Sequence, residues 1–320
     1  MGFGLYIHIP FCRKICAYCD FYRGVYDEKK AEKYPHALGA DAEDFVKKYS
    51  LTGEADTVYI GGGTPTVLPR GYLEAALTMI KKHIRIAEGA EFSCEGNPES
   101  FTDKKAEELK ALGVNRVSLG VQSLSDKTLS ALGRIHGAKE AKKAVGRAAG
   151  CGFRVSADIM LGVPCQTEAD VREFAAVMRS LGAEHLSAYM LTVSEGTPLA
   201  DMVRRGEFSP DDDRSADLYS AFHDAAAQAG YARYEVSNWA LPGKECRHNI
   251  KYWTGGDYAG LGAGAYSKVG GCRFHTAPDA SAYIGGNIAR ITDEVMTEKQ
   301  LAAEKAVFGL RTRLGVDKNT

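Results

Sequence analysis

The stretch Cys12-Arg13-Lys14-Ile15-Cys16-Ala17-Tyr18-Cys19 follows directly on an apolar run, Gly4-Leu5-Tyr6-Ile7-His8-Ile9-Pro10-Phe11, and its reading decides the rest of the chain. Thiols spaced C-x3-C-x2-C in one short loop past a strand can wrap a single small metal centre. Structural zinc asks for four ligands in closed tetrahedral geometry, and no fourth cysteine or histidine lies within the loop. A [4Fe-4S] cube held by only three thiolates keeps one iron open to an outside ligand, and cube potentials reach about −700 mV. In that range an electron can enter a sulfonium such as S-adenosylmethionine (SAM), one of the radical cofactors that proteins bind and orient.

Cys94, Cys151, Cys165, Cys246 and Cys272 are scattered singly and read as ordinary small hydrophobes. A disulfide framework is not expected, because 320 residues with 45% hydrophobic content can bury a core without staples and no secretory signal is seen. Eight cysteines without an export signal read as a cytoplasmic protein in a reducing compartment. The net charge of −1 gives no general attraction to nucleic acid or anionic membrane. No apolar run approaches the roughly 18 residues of a membrane span.

Short β-rich runs alternate with helical patterns, the arrangement of a parallel sheet built from βα units. The expected strands are Gly4 to Pro10, Thr57 to Gly62, Glu91 to Asn97, Arg116 to Val121, Arg154 to Gly162 and His185 to Leu191. Six such units predict an α/β barrel, complete or partial. Helices are expected from Asp103 to Leu112, capped by Thr102 and Gly113, after the capping box at Thr167, after Ser209-Pro210, and after Thr297. In parallel barrels the interior is packed, so ligands meet the C-terminal strand ends and the loops that follow them. The cysteine loop, Gly61-Gly62-Gly63-Thr64-Pro65, Glu95-Gly96-Asn97-Pro98 and Gly120-Val121-Gln122-Ser123 all fall at such ends. Asp158 lies inside its strand and must point into the barrel to reach a ligand.

Zwitterionic SAM asks for a carboxylate or carbonyls near its amine, a cation near its carboxylate, and acceptors for its ribose. The chain offers Glu95 and Asp158 at the ends or interiors of apolar strands, Gln122 after a strand and Arg134 in the loop Leu132-Gly133-Arg134-Ile135-His136, and Gly61 to Gly63 allow close backbone approach. The alternatives are a plain tight turn for the glycines, a structural network for the two acids, and a solvated loop charge for Arg134.

The cysteine spacing with Tyr18 before the third cysteine resembles the radical-SAM superfamily. The longer string Tyr6-Ile7-His8-Ile9-Pro10-Phe11-Cys12 resembles the branch of oxygen-independent coproporphyrinogen III oxidases and HemW-type haem chaperones, and the likeness runs from Tyr6 to about Gly315. It implies a partial (β/α)6 TIM-like barrel at 1–200 and a C-terminal α+β extension at 201–320, with a small helical domain only begun. It also implies [4Fe-4S] ligation by Cys12, Cys16 and Cys19, and SAM contacts from Tyr6, Tyr18, Gly62, Gly63, Thr64, Glu95, Gln122, Arg134 and Asp158.

His248-Asn249-Ile250-Lys251-Tyr252-Trp253 resembles the H-N-x-x-Y-W motif linked with haem in the chaperones. That likeness implies an axial haem ligand at His248, whereas a lone histidine beside tryptophan is more often a structural residue. The oxidases carry a further cysteine two places past the third and an N-terminal extension. Here that position is Phe21 and five residues precede Tyr6, which favours a haem chaperone over a porphyrinogen decarboxylase. The expected partners are haem or porphyrin, a haem-requiring acceptor such as a respiratory enzyme, and a second copy of the chain. A methyl- or methylthio-transferring enzyme would need further cluster or substrate motifs, which are not found.

Overall fold

In the computed structural model, which describes residues 2–49, 51 and 53–316, strands and helices alternate from the start. The strands of the first half are β1 (Phe3–Ile9), β2 (Phe11–Cys12), β3 (Gly24–Val25), β4 (Ala55–Gly62), β5 (Ile86–Gly96), β6 (Arg116–Gln122), β7 (Arg154–Leu161) and β8 (His185–Met190). Between them lie α1 (Glu28–Lys48), α2 (Tyr72–Ile80), α3 (Asp103–Ala111), α4 (Asp126–Ala131), α5 (Ala138–Gly150) and α6 (Glu168–Ser180). The second half adds α7 (Pro198–Arg204), α8 (Asp212–Gln228), β9 (Ala232–Glu235), β10 (Asn238–Ala240), α9 (Arg247–Trp253), β11 (Tyr258–Leu261), β12 (Tyr266–Val269), β13 (Cys272–Thr276), α10 (Ala280–Ile284), β14 (Arg290–Val295) and α11 (Glu298–Leu310).

Twelve strands form one open sheet in the order β14-β13-β12-β11-β1-β4-β5-β6-β7-β8-β10-β9. The six expected strands are all present, adjacent and parallel, which makes the centre an incomplete TIM-like barrel. Strands from beyond residue 200 extend this sheet at both edges: β11 lies parallel beside β1, while β12–β14 and β9–β10 are antiparallel. The outer ends of the expected domain ranges, residue 1 and residues 317–320, lie outside the described residues.

Strand alternation separates the sheet into two chemically different faces. Leu5, Ile7, Ile9, Val58, Ile60, Val117, Leu119, Val155 and Ala157 are buried in one continuous core together with Leu38 and Phe45 of α1 and Ala144 and Val145 of α5. Burying each Leu or Ile is worth roughly 1.5–3 kcal/mol. The alternate positions are aromatic or polar. Register sets Tyr6 beside Tyr59, Tyr59 beside Ser93, Ser118 beside Ser156, and Asp158 beside Ser187. This second face lines the concave side.

Helix ends follow local chemistry. Thr102 and Thr167 cap α3 and α6, with a full capping box at Thr167, and Thr297 forms another at α11. The start of α8 differs from expectation: Asp211, not Ser209, is the N-cap and accepts from Arg214 N. A carboxylate placed directly before the helix serves the exposed amides as well as the hydroxyl two residues earlier.

Candidate functional site

The loop after β1 returns along the barrel rim and is tied down on two sides. Ala17 N donates to Leu132 O (3.0 Å), and Leu199 N donates to Ala17 O (2.9 Å). Cys12, Cys16 and Cys19 face one cavity of about 410 Å³, together with Tyr18, Gly62, Gly63, Thr64, Glu95, Gln122, Arg134 and Asp158. Eleven of the thirteen residues singled out in the sequence thus meet in one place. All eight cysteines are free. Among the described residues, no three His, Cys, Asp or Glu side chains converge closely enough to hold a single metal ion. Thiolates of a cube sit on separate irons at its corners, so donors spread around a cavity suit a cluster better than one zinc ion.

Each wall of this cavity has a local cause. Gly62 has φ +110, and a Cβ there would lie 2.6 Å from the His8 ring. At Gly63 a Cβ would stand 2.7 Å from Phe11 O, because Gly63 N and Thr64 N donate to Ile9 O and Phe11 O at 2.8 Å. The glycines let this strand end seat against the start of the cysteine loop. Thr64 Oγ1 donates to Cys12 Sγ (3.6 Å) and accepts from Asn97 Nδ2 (3.1 Å). Arg134 reaches Cys16 Sγ (3.3 Å), Asn97 Oδ1 (2.8 Å) and Gly120 O (2.6 Å). Asn97, which sequence reasoning did not select, therefore joins the second strand end to the arginine.

Gln122 closes β6 in a left-handed conformation (φ 66) that non-glycine residues adopt only when surroundings impose it. The register slips there by a bulge. Its Oε1 is buried with no hydrogen-bond partner, an acceptor aimed at a cavity and left for a ligand donor.

Glu95 and Asp158 stand on the concave face, half-buried against the cavity. Burial, reinforced by repulsion from Asp158, raises the Glu95 carboxyl from 4.5 to about 7, although Gly62 N donates to its Oε2 (3.1 Å). Burial also raises Asp158, against hydrogen bonds that include Ser118 Oγ at 3.1 Å. Neither forms an ion pair among the described residues. Two adjacent carboxyls drawn out of water with no salt-bridge partner are costly unless a ligand brings positive charge to them, although Arg116 acts on Asp158 from a distance. Cys12 is pushed up by burial to about 11, and Cys19 is also raised by burial; bound metal would reverse both shifts. The donor set thus fits a cube, and the unpaired acids with the orphan acceptor fit a cationic amino acid-like ligand.

Two expected residues lie elsewhere. Tyr6 lines a second cavity of about 860 Å³ that shares Gly62, Glu95, Asp20, Phe21 and Arg23 with the first. Its hydroxyl donates to His8 Nδ1 (3.0 Å), whose Nε2 donates to Tyr22 O (2.8 Å). His248 reaches neither cavity. It is 1% exposed, stacks on Tyr59 (5.3 Å, 25°), and bonds Thr57 Oγ1 and Tyr252 OH, both at 2.8 Å. Burial lowers it to about 3, so it is a neutral pillar between β4 and α9. An axial iron bond at His248 would require breaking one of those contacts. The second cavity was missed by sequence reasoning. Its Tyr22, Tyr252, Tyr258 and Tyr266 come from four segments, and only the tyrosines flanking the glycine-rich Gly260–Gly264 run marked it.

The family model of the radical SAM superfamily matches residues 6–178. The chain is 37% identical over 326 residues to the heme chaperone HemW of Mycobacterium tuberculosis, covering 98% of this chain and 83% of the relative. It is 36% identical to the heme chaperone HemW of Bacillus subtilis, with 98% and 84% covered. Among solved structures, coproporphyrinogen III oxidase (HemN) from Escherichia coli, a radical SAM enzyme, superposes with a TM-score of 0.83 at 21% identity, over 97% of this chain and 76% of that one. At that identity the superposition speaks for the fold, whereas the chain-long matches above 30% carry descent. The chain belongs to the radical SAM superfamily and, within it, to the family of the HemW heme chaperones.

Proposed function

We propose that this chain is a haem chaperone: it holds a [4Fe-4S] cluster on Cys12, Cys16 and Cys19, binds SAM beside it, and carries haem to a haem-requiring acceptor protein. The observation that carries this reading is the pair of joined cavities. One is lined by thiols and unpaired acids; the other, about 860 Å³, has five tyrosines among its lining residues. Ligand pockets run from about 300 to 1,000 Å³ and are mostly apolar with a few placed polar groups, so the second suits a flat aromatic cargo. When bound, the cluster supplies one open iron and an electron for a sulfonium. Glu95 and Asp158 then attract the cofactor's positive charge, Gln122 Oε1 accepts from it, and Arg134 steadies the loop that carries Cys16.

Residues 1–200 supply the first cavity in this proposal, and the portion from 201 onward completes the second through Tyr252, Tyr258 and Tyr266. Among the described residues no helix is long and apolar enough to cross a membrane. Phe21 favours carriage over porphyrinogen decarboxylation. It occupies the position of the oxidases' further cysteine, and its ring is 67% exposed where the two cavities meet. The test is anaerobic titration of reconstituted protein with haem, beside incubation with coproporphyrinogen III and SAM. Stoichiometric haem binding, transfer to a haem-free acceptor and no protoporphyrinogen product are expected. Turnover of coproporphyrinogen would overturn the chaperone reading.

A further inference from the structure

The tyrosine-lined cavity contains one metal-ligating side chain that nothing above has used. Two histidines line it, His8 and His275. Both ring nitrogens of His8 are engaged, by Tyr6 OH and Tyr22 O, and burial lowers it to about 4. His275, on β13, differs. Its Nδ1 lies 2.9 and 3.0 Å from the two oxygens of Asp293, and its Nε2 has no hydrogen-bond partner among the described residues. Nδ1 faces a carboxylate and so carries the proton, which leaves the lone pair on Nε2. A metal-ligating histidine characteristically gives its other ring N–H to a carboxylate in this way, fixing the tautomer and raising ligand basicity.

The sheet makes this pairing through an irregularity. In the β13–β14 ladder, Arg273 pairs with Glu294 and Phe274 with Thr292, so Asp293 is an extra residue in the outer strand. Bulges re-aim side chains, and here two acids serve two neighbours: Glu294 bonds Arg273 (3.0 Å) and Asp293 bonds His275. Across the other edge of β13, Tyr266 lies directly opposite His275 and stacks on it at 5.0 Å and 28°, while remaining 54% exposed. The oriented imidazole offers a ligand for the metal of a planar ring, and Tyr266, nearly parallel to that imidazole, would meet such a ring edge-on. On the side nearer the cysteine loop, Arg23 has a buried Nε without a partner, a donor suited to a carboxylate at the edge of such a ring.

We propose that His275, oriented by Asp293, is the axial ligand to the iron of a haem seated in the second cavity, with Tyr266 alongside the macrocycle. This rests on the reading of the chain as a haem carrier and names the ligand that the H-N-x-x-Y-W segment does not supply. Asp293 is a positioning residue and does not touch iron.

The test titrates the cluster-reconstituted full chain with ferric haem and reads electron paramagnetic resonance beside the Soret band. The oxidised cube is diamagnetic, so the ferric haem signal stands alone. Wild type is expected to show an imidazole-ligated signal. His275→Ala should lose that signal and at least tenfold in haem affinity, and free imidazole should restore the signal. Metal-free protoporphyrin, with no iron to ligate, should bind His275→Ala within about threefold of wild type. Asp293→Asn should keep haem but shift its signal, and His248→Gln should leave it unchanged. Cluster iron content serves as the folding control throughout. If His275→Ala keeps the wild-type signal and affinity, or loses metal-free porphyrin equally, the ligand assignment falls while haem carriage stands. If wild type takes up no haem at all, both fall.

Discussion

The two joined cavities are built by opposite means. The cysteine-lined cavity draws its key groups from the C-terminal ends of successive parallel strands, and its chemistry is charge held out of water: Glu95 near 7, Asp158 raised, Gln122 strained and unsatisfied. The tyrosine-lined cavity is assembled from β1, the ends of β4 and β5, the end of the cysteine loop, α9, β11, β12 and β13. Its polar groups mostly satisfy one another, as in the chain from Tyr6 to His8 to Tyr22. In the proposed reading the first takes a charged cofactor and the second a large flat cargo. Their contrast teaches that one sheet can present both, because strands from the C-terminal half extend it at both edges.

The largest effect expected from separating them is at the cysteines. Cys12→Ala should reduce iron and sulfide after anaerobic reconstitution to near background, yet leave metal-free porphyrin affinity within about threefold; a cluster that survives would break the assignment of the first cavity. Next comes the pillar behind both. His248→Ala leaves the Thr57 and Tyr252 hydroxyls without their buried partner and opens a void, which should lower unfolding stability in urea by about 2–4 kcal/mol while haem retains its axial signal. Loss of that signal in a folded variant would return the ligand role to His248.

Charge in the first cavity has a sign that can be measured. A carboxyl raised in the folded state contributes stability below its unfolded value near 4.5 that is lost as pH rises through about 7. The ligand-free protein should therefore gain from Glu95→Gln at pH 8, by at most roughly 3 kcal/mol. SAM affinity should move the other way, rising between pH 6 and 8 as Glu95 ionises, and falling about tenfold with a flat pH profile in Glu95→Gln. Isothermal titration across that range decides it, and an unchanged profile would remove Glu95 from the cofactor. The smallest effect belongs to the shared rim, where Phe21→Ala should weaken porphyrin binding by two- to threefold and leave cluster content alone, as read by fluorescence quenching and iron analysis.

Much of the first cavity was legible because its residues sit at strand ends with fixed spacing. Tyr18, Thr64, Glu95 and Gln122 follow apolar runs whose length and alternation mark where each strand stops, and Arg134 follows the short helix α4. Asp158 looked out of place in the linear order, yet the period of two sets it on the same face as Ser156 and Ser118. Asn97 was passed over because its role is to connect Thr64 and Arg134, a relation that exists only once three strand ends are brought together.

By itself, the sequence determined the parallel core and the thiol loop, since local periodicity and short spacings are properties of consecutive residues. Only the tertiary structure decided which histidine is free. His248 and His275 are equally plain in the sequence, but one is closed in by Thr57, Tyr59 and Tyr252, and the other keeps a nitrogen open at the cavity. The hydrogen bond that closes His248 in comes from a partner 191 residues away, and no local pattern encodes it.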